Sequence, residues 1–405
     1  MVRKLFASIL NSTRCDGYIK IQQAEAIVAL HDIFKQPTLF ADHIHRYSLS
    51  VTRSISYGQR VMSHDDPIAT KLSSVVANFS YAMTPGRFLV ESMPILLRLP
   101  RFMNPWLALL ERFRDEEDAL SLENYRNALE RGKKHPKQKT IVKDLQELRA
   151  GNESISEIQA ATTCAEILQT GADTTANSLV ILILACLAFP EVLAKAHEEL
   201  DRVIGCDRFP TWEDEPNLPY IRAMIKEQHR WNTIAPMSFA HYTNAEDEYN
   251  GYRIPKGTVV RINTWAMHHD PERYPEPFRY NPDRFLDHKL SASAYANGSD
   301  VAARDHFSYG GGKRICVGMH LAERSLFTMA SRLLQTFEIK PALDENGQEI
   351  PVDTSSSRFS SSLISVALPF QARFKVRNAA VEHLLEKEWI ETAREGKVES
   401  WEGVL

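Results

Sequence analysis

Cysteine is scarce in this chain and is not set out for cross-linking. Five are present, Cys15, Cys164, Cys186, Cys206 and Cys316, an odd and scattered set. That is no disulfide framework, and it fits a reducing compartment. C-x-x-C-H is absent, which excludes covalent c-type haem attachment. Charge of one sign is also missing. The formal net charge is only -4 over 405 residues and is unclustered, so nucleic acid is not an expected partner. Long apolar runs are lacking too. The longest, Leu179 to Phe189, is too short to cross a bilayer and reads as part of a buried helix. The opening MVRKLFASILNSTR has a basic start, but no long apolar stretch or cleavage site that would make it a signal peptide. There is no internal repeat, no low-complexity linker, and no flavin or nucleotide motif.

What the chain does contain is helix after helix. QQAEAIVALHDIF has apolar residues at helical spacing, and Asp42 to Ile55 reads the same way. Pro94 to Leu110 is apolar but broken by prolines and two arginines, and reads as core helix plus turn rather than a membrane-touching patch. The basic RGKKHPKQK from Arg131 to Lys139 reads as a solvated connection. Ser154 and Glu157 suggest a capping box opening a long helix that Pro190 stops; a second helix then runs to Gly205. Strand signals come late. Tyr249 to Asn263 predicts two short strands about Pro255, Lys256 and Gly257, and Ser361 to Phe374 a second hairpin with Pro369 at its edge. The fold class is therefore mainly α with small β-sheets. Residues 1–378 form the principal domain, and 379–405 a charged tail that reads as a peripheral helix.

Chemistry concentrates in Tyr309-Gly-Gly-Gly-Lys-Arg-Ile-Cys-Val-Gly318. Three glycines let a loop turn sharply, a basic pair follows, and Cys316 stands just before a helix with Met319, Leu326, Met329 and Leu333 on its apolar face. A sulfur at a helix start has its thiolate favoured by free N–H groups. No second cysteine or histidine sits at zinc-ligand spacing in this loop. Upstream lies Thr170-Gly-Ala-Asp-Thr-Thr175. Glycine inside a helix costs about 1 kcal/mol relative to alanine, so Gly171 needs a reason, and a helix widened to admit a ligand would be one. Asp173 and Thr174 together can relay protons. In Glu227-Gln-His-Arg230 the ends share a helix face, and Arg284 of Asn281-Pro-Asp-Arg-Phe285 supplies a second guanidinium for Glu227.

With these residues in this order, the sequence from about Arg3 to Arg377 resembles the cytochrome P-450 superfamily, especially fungal members of secondary metabolism. The resemblance implies haem b held by Cys316 as axial thiolate. Arg314 would contact a haem propionate, and Gly312 and Tyr309 would shape the loop, Tyr309 replacing the usual Phe. It makes Asp173 and Thr174 the oxygen-activation pair, with Thr170 where alanine or glycine is usual, and Glu227, Arg230 and Arg284 a structural triad. His241 falls where a second propionate contact is often found; a surface histidine before a turn is the other reading. His268 and His269 receive no metal role. Pocket walls are expected from Ala165 to Thr174, from Thr233 to Ser238 and around Phe359 to Leu363.

The implied reaction inserts one atom of O2 into an apolar small molecule, with electrons from an NADPH-dependent flavoprotein reductase. A haem-thiolate isomerase or dehydratase, or an inactive fragment, are the alternatives. Microsomal members open with an anchor, a proline-rich hinge and a first β-sheet and sit on the cytosolic face of the endoplasmic reticulum. None of those segments is legible here, so the expectation is a chain truncated at its N-terminus. Arg3 would be the haem-facing arginine of a helix whose tryptophan lies before residue 1.

Overall fold

The computed structural model describes residues 2–395 apart from 85 and 152–154. Fourteen helices are defined among the described residues, and the fold is arranged around one of them. In chain order they begin α1 (Val2–Ile9), α2 (Ser12–Asp16), α3 (Ile19–Lys35), α4 (Phe40–Tyr57) and α5 (Pro67–Met83). Next come α6 (Pro105–Lys134), α7 (Ile141–Ala150), α8 (Glu157–Ala188), α9 (Pro190–Val203) and α10 (Pro219–Trp231). The short α11 (Thr264–His268) and α12 (Ala292–Ala296) precede α13 (Met319–Thr336) and α14 (Ala379–Glu395).

α8 is the axis. From Thr175 to Leu187 every residue is buried, and a helix apolar all round must be enclosed. By length and composition it could cross a membrane, but α4, α6, α7, α10 and α13 pack around it, which makes it a core helix. The capping box lies two residues later than the sequence suggests. Ser156 Oγ accepts from Gln159 N at 3.2 Å, while Ser156 N donates to Gln159 Oε1 at 2.9 Å. Ser154 lies outside the described residues. At the far end Pro190 opens α9, which needs no N–H there. Gly205 (φ 74°) then donates back to the Leu200 carbonyl at 3.1 Å, ending that helix.

Gly171 has a different reason from the one its sequence context suggests. α8 runs as unbroken α-helix through it, without widening. α4 crosses here instead, and a β-carbon at 171 would lie 2.6 Å from Thr52 Cγ2. Gly171→Ala should therefore lower stability by about 1–3 kcal/mol through overpacking, against a propensity gain of about 1 kcal/mol. Adding Thr52→Ser, which deletes that methyl, should recover most of the loss. Denaturant titration of both variants checks this, and a stabilised single variant would refute the crossing.

Three two-stranded antiparallel sheets flank the helices: β1 (His241–Tyr242) with β4 (Val259–Val260), β2 (Asp247–Tyr249) with β3 (Tyr252–Ile254), and β5 (Phe337–Pro341) with β6 (Ala372–Val376). The tight hairpin turns at Asn250 (φ 49°) and Gly251 (φ 80°), with Tyr249 facing Tyr252, and not at Pro255–Gly257. Asn-Gly suits a turn needing φ > 0 at both central residues; Pro255–Gly257 connects strands of two different sheets. The expected hairpin from Ser361 to Phe374 is also divided. Phe359 bridges Ala367 locally, whereas β6 pairs with β5, the strand that continues directly from α13.

The segment between α5 and α6 departs most from expectation. It is a chain of 3-10 turns with its apolar side chains outside: Leu89 is 71% exposed, Ile95 62%, Leu97 64% and Phe102 85%. The prolines that interrupt it prevent a continuous helix that could bury one face. The basic stretch after Arg131 is largely solvated, as its composition suggests. α14 is a helix, and it docks on α3 through buried Val381, Leu384 and Leu385 and a Trp389–His31 stack 4.0 Å apart. Residues 396–405 lie outside the described residues.

Candidate active site

Cys316 stands two residues before Gly318, the N-cap of α13. Its N–H donates to the Tyr309 carbonyl at 2.8 Å, closing the loop from 309 to 316 upon itself. Gly310 (φ 72°) and Gly312 (φ 57°) both take the left-handed backbone. No atom lies within 4 Å of where a β-carbon would be at either, so backbone conformation sets the requirement and open space borders the loop. A 3-10 turn, Gly312–Arg314, aims the chain at the cysteine. Two guanidiniums hold the loop from outside: Arg304 donates to the Gly310 carbonyl at 2.6 Å, and Arg3 to the Ile315 carbonyl.

The Cys316 side chain is exposed, although protein surrounds its loop. Burial raises its pKa, while the N–H groups of Gly318 and Met319 and the Arg3 guanidinium pull it down. A cation bound at the sulfur would complete that stabilisation. No cluster of three potential metal ligands occurs among the described residues. A lone thiolate suits an iron whose remaining protein-independent ligands come from a macrocycle, and the donor chemistry here fits haem.

The hydroxyl that Tyr309 adds has a partner, His229 Nε2, at 3.2 Å. Burial and His306 hold the His229 imidazole well below its usual pKa, and burial holds Tyr309 well above its own. Both groups are therefore neutral, and the tautomer of His229 decides which of them donates. Ser308 Oγ donates to the His229 carbonyl at 2.6 Å and lies 2.7 Å from Thr233 Oγ1. The cysteine loop is thus tied to the end of α10. Sequence reasoning missed His229 because it lies inside the Glu-x-x-Arg segment, which was read for its ends.

Glu227 and Arg230 are both fully buried and form a two-point pair, Nε to Oε2 at 2.6 Å and Nη2 to Oε1 at 2.8 Å. Arg284 approaches Glu227 Oε1 at 3.5 Å and donates to the Pro275 and Glu276 carbonyls. Asn281 N adds a further donor to Glu227 at 2.8 Å. Arg230 also reaches the carbonyls of His268, Pro277 and Arg279. His268 Nε2 in turn accepts from Phe307 N at 2.8 Å, which gives that histidine a fixed role within the loop support.

His241 and Arg314 both line a cavity of 590 Å³, together with Ala240 and Tyr242 to Asp247. On α8, Thr174 Oγ1 donates to the Thr170 carbonyl at 2.6 Å, and Asn177 Nδ2 to Asp173 Oδ1 at 3.0 Å. Burial raises the Asp173 pKa, with His45 opposing it. Beside the expected walls, Ser365 N donates to the Ile234 carbonyl at 2.8 Å, and the Phe359 ring lies 6.1 Å from that of Trp231. α8 packs on α13, the helix that Cys316 leads into.

The family model described as cytochrome P450 matches residues 3–362. The chain belongs to the cytochrome P450 family. It is 32% identical to the cytochrome P450 monooxygenase verL of Clonostachys rogersoniana, over 99% of this chain and 74% of that protein. Identity to the monooxygenase anuE of Penicillium roqueforti is 35%, over 93% and 77% respectively. To COX1 of Coprinopsis cinerea it is 33%, over 95% and 74%. In this mainly helical P450 fold the cysteine loop is tied to α10, and α10 packs on α8. α14 lies beyond the residues that the family model matches, and its charged composition alone did not place it on α3.

Proposed function

We propose that this P450 is a haem b-dependent monooxygenase acting on an apolar small molecule in fungal secondary metabolism. The observation that carries it is Cys316, an accessible sulfur just before a helix start, where two backbone N–H groups and Arg3 oppose the upward push of burial on its pKa. Cys316 would hold the iron, Arg314 and His241 the propionates, and Gly312 and Tyr309 the loop's shape. When bound, the haem supplies O2 binding and reductive O–O cleavage, to which a thiolate ligand adds electron density. The overall balance is RH + O2 + 2e⁻ + 2H⁺ → ROH + H2O, with electrons from an NADPH-dependent flavoprotein reductase. Thr174 and Asp173 deliver the protons. Glu227, Arg230 and Arg284 hold the pocket, and residues 1–378 make up the haem domain with 379–405 appended.

The test is reductase-driven turnover under labelled O2. One labelled atom per product, with NADPH consumed, supports the assignment; product formed with neither consumed would make the protein a haem-thiolate isomerase or dehydratase. Thr174→Ala should leave the bound haem intact and cut product formation by about 10²-fold, at the low end for a positioned proton donor, with peroxide released instead. Unchanged coupling would remove Thr174 from the mechanism.

The reading extends to location, at the cytosolic face of the endoplasmic reticulum. Exposed Leu89, Ile95, Leu97 and Phe102, near Arg98 and Arg101, form an apolar patch with a basic fringe suited to an anionic lipid surface. Purified chain should co-float with anionic vesicles, and the Leu97→Asp/Phe102→Asp double variant should lose at least half of that binding. Equal flotation of both would exclude the patch.

A further inference from the structure

Asp173 has a neighbour on another helix that the acid–alcohol pair does not include. α4 crosses α8 at Gly171, where Ser48 Oγ donates to the Gly171 carbonyl at 3.0 Å and the Thr52 methyl fills the place of a β-carbon. His45 stands one turn before Ser48 on the same face of α4, because positions three apart are neighbours on a helix. Asp173 lies two residues beyond Gly171, and Asn177 Nδ2 holds its Oδ1 at 3.0 Å. Asp42, three residues before His45 in the first turn of α4, is exposed. Asp42 is thus one turn from His45 on α4, and His45 and Asp173 feel each other's charge across the α4–α8 crossing.

We propose that His45 is the relay residue that reloads Asp173 with protons from solvent, by way of Asp42. The inference rests on the monooxygenase reading above, since it supplies the protons that O2 reduction consumes. His45 acts through Asp173 and does not itself touch the reacting atoms. Each passage balances: one proton enters the imidazole from water on the Asp42 side, and one leaves its other nitrogen to the Asp173 carboxylate. The ring ends as the other tautomer with its charge unchanged.

The charged groups facing His45 among the described residues are Asp173 on α8 and Asp42 on its own helix. Burial lowers the His45 pKa, and both carboxylates oppose that. The resting ring is therefore neutral near pH 7, with one N–H and one lone pair, which a two-sided relay requires. Removing the Asp173 charge must lower the His45 pKa further, because an attraction that favours the imidazolium is lost.

The experiment uses the ferrous, CO-bound holoprotein, which is diamagnetic. The His45 ring signal, assigned by its loss in His45→Gln, is titrated in wild type and in Asp173→Asn. The midpoint should fall by about one unit in Asp173→Asn, and an unmoved midpoint overturns the proposal. A second arm measures reductase-driven NADPH oxidation without added substrate and the division of O2 between peroxide and water. His45→Gln should raise the peroxide share several-fold and flatten its pH dependence, with Asp173→Asn/His45→Gln no worse than Asp173→Asn alone. A His45→Gln profile that follows wild type at every pH, or additive losses, overturns it. Should wild type itself lack the thiolate-type CO spectrum, the monooxygenase reading fails; with that spectrum present and the midpoint unmoved, only the relay fails.

Discussion

Cys316→Ser is expected to abolish the thiolate-type spectrum of the reduced, CO-bound protein while leaving the fold in place. The two side chains differ by one atom, and residue 316 is exposed, so the change empties no packed core position. Its effect on stability should fall within about 0.5 kcal/mol. The chemistry changes far more. Burial raises the Cys316 pKa, two backbone N–H groups and Arg3 oppose it, and a bound cation would favour the anion. A serine hydroxyl is not ionised under the same influences, so the strong anionic donor disappears. Loss of the spectrum with an unchanged circular dichroism signal is the expected pair of results. A variant that keeps the thiolate-type band would mean that another group ligates the iron, and the loop's hydrogen bonds would need a different purpose.

The cysteine loop was legible because its requirements are local. A left-handed φ at Gly310 and Gly312 and an anion at a helix start are each written in consecutive residues. α8 was legible for a similar reason, since helix-favouring sequence between a cap and a proline, ending in the apolar run from Leu179, dictates an enclosed helix. Its glycine was misread because the cause lies on α4, more than a hundred residues away, in one methyl of Thr52. The strand errors share that origin. Whether β6 pairs with its neighbour or with β5 depends on where α13 delivers the chain, and nothing between Ser361 and Phe374 encodes it. The Asn250-Gly251 turn was readable and was passed over for a proline-glycine signal nearby. His229 and His45 belong to a further class. A buried or half-buried histidine in a helix looks like any other until the partner helix shows what faces it.

The second large effect is expected at Glu227. Removing one member of a buried ion pair leaves the other charge uncompensated, at a cost of about 3–5 kcal/mol. Against a total stability of about 5–15 kcal/mol, Glu227→Ala should lose between about a fifth and the whole of it. Replacing both partners with leucine often spares a protein that cost, but it should not do so here. Arg230 donates not only to Glu227 but also to the carbonyls of His268, Pro277 and Arg279, and those acceptors would be orphaned inside the protein. The consequence reaches the iron ligand through a short series of bonds. Arg230 fixes the backbone of His268, His268 Nε2 accepts from Phe307 N, and the Phe307 carbonyl accepts from Gly310 N, at the turn that presents Cys316. Glu227→Gln, which keeps shape and removes charge, separates the two effects. It should fold well enough to purify yet lose haem on dilution at least ten-fold faster than wild type. Dissociation followed by transfer to excess apomyoglobin measures that rate. A Glu227→Gln protein that retains haem as wild type does would confine the knot to stability and cut its link to the loop.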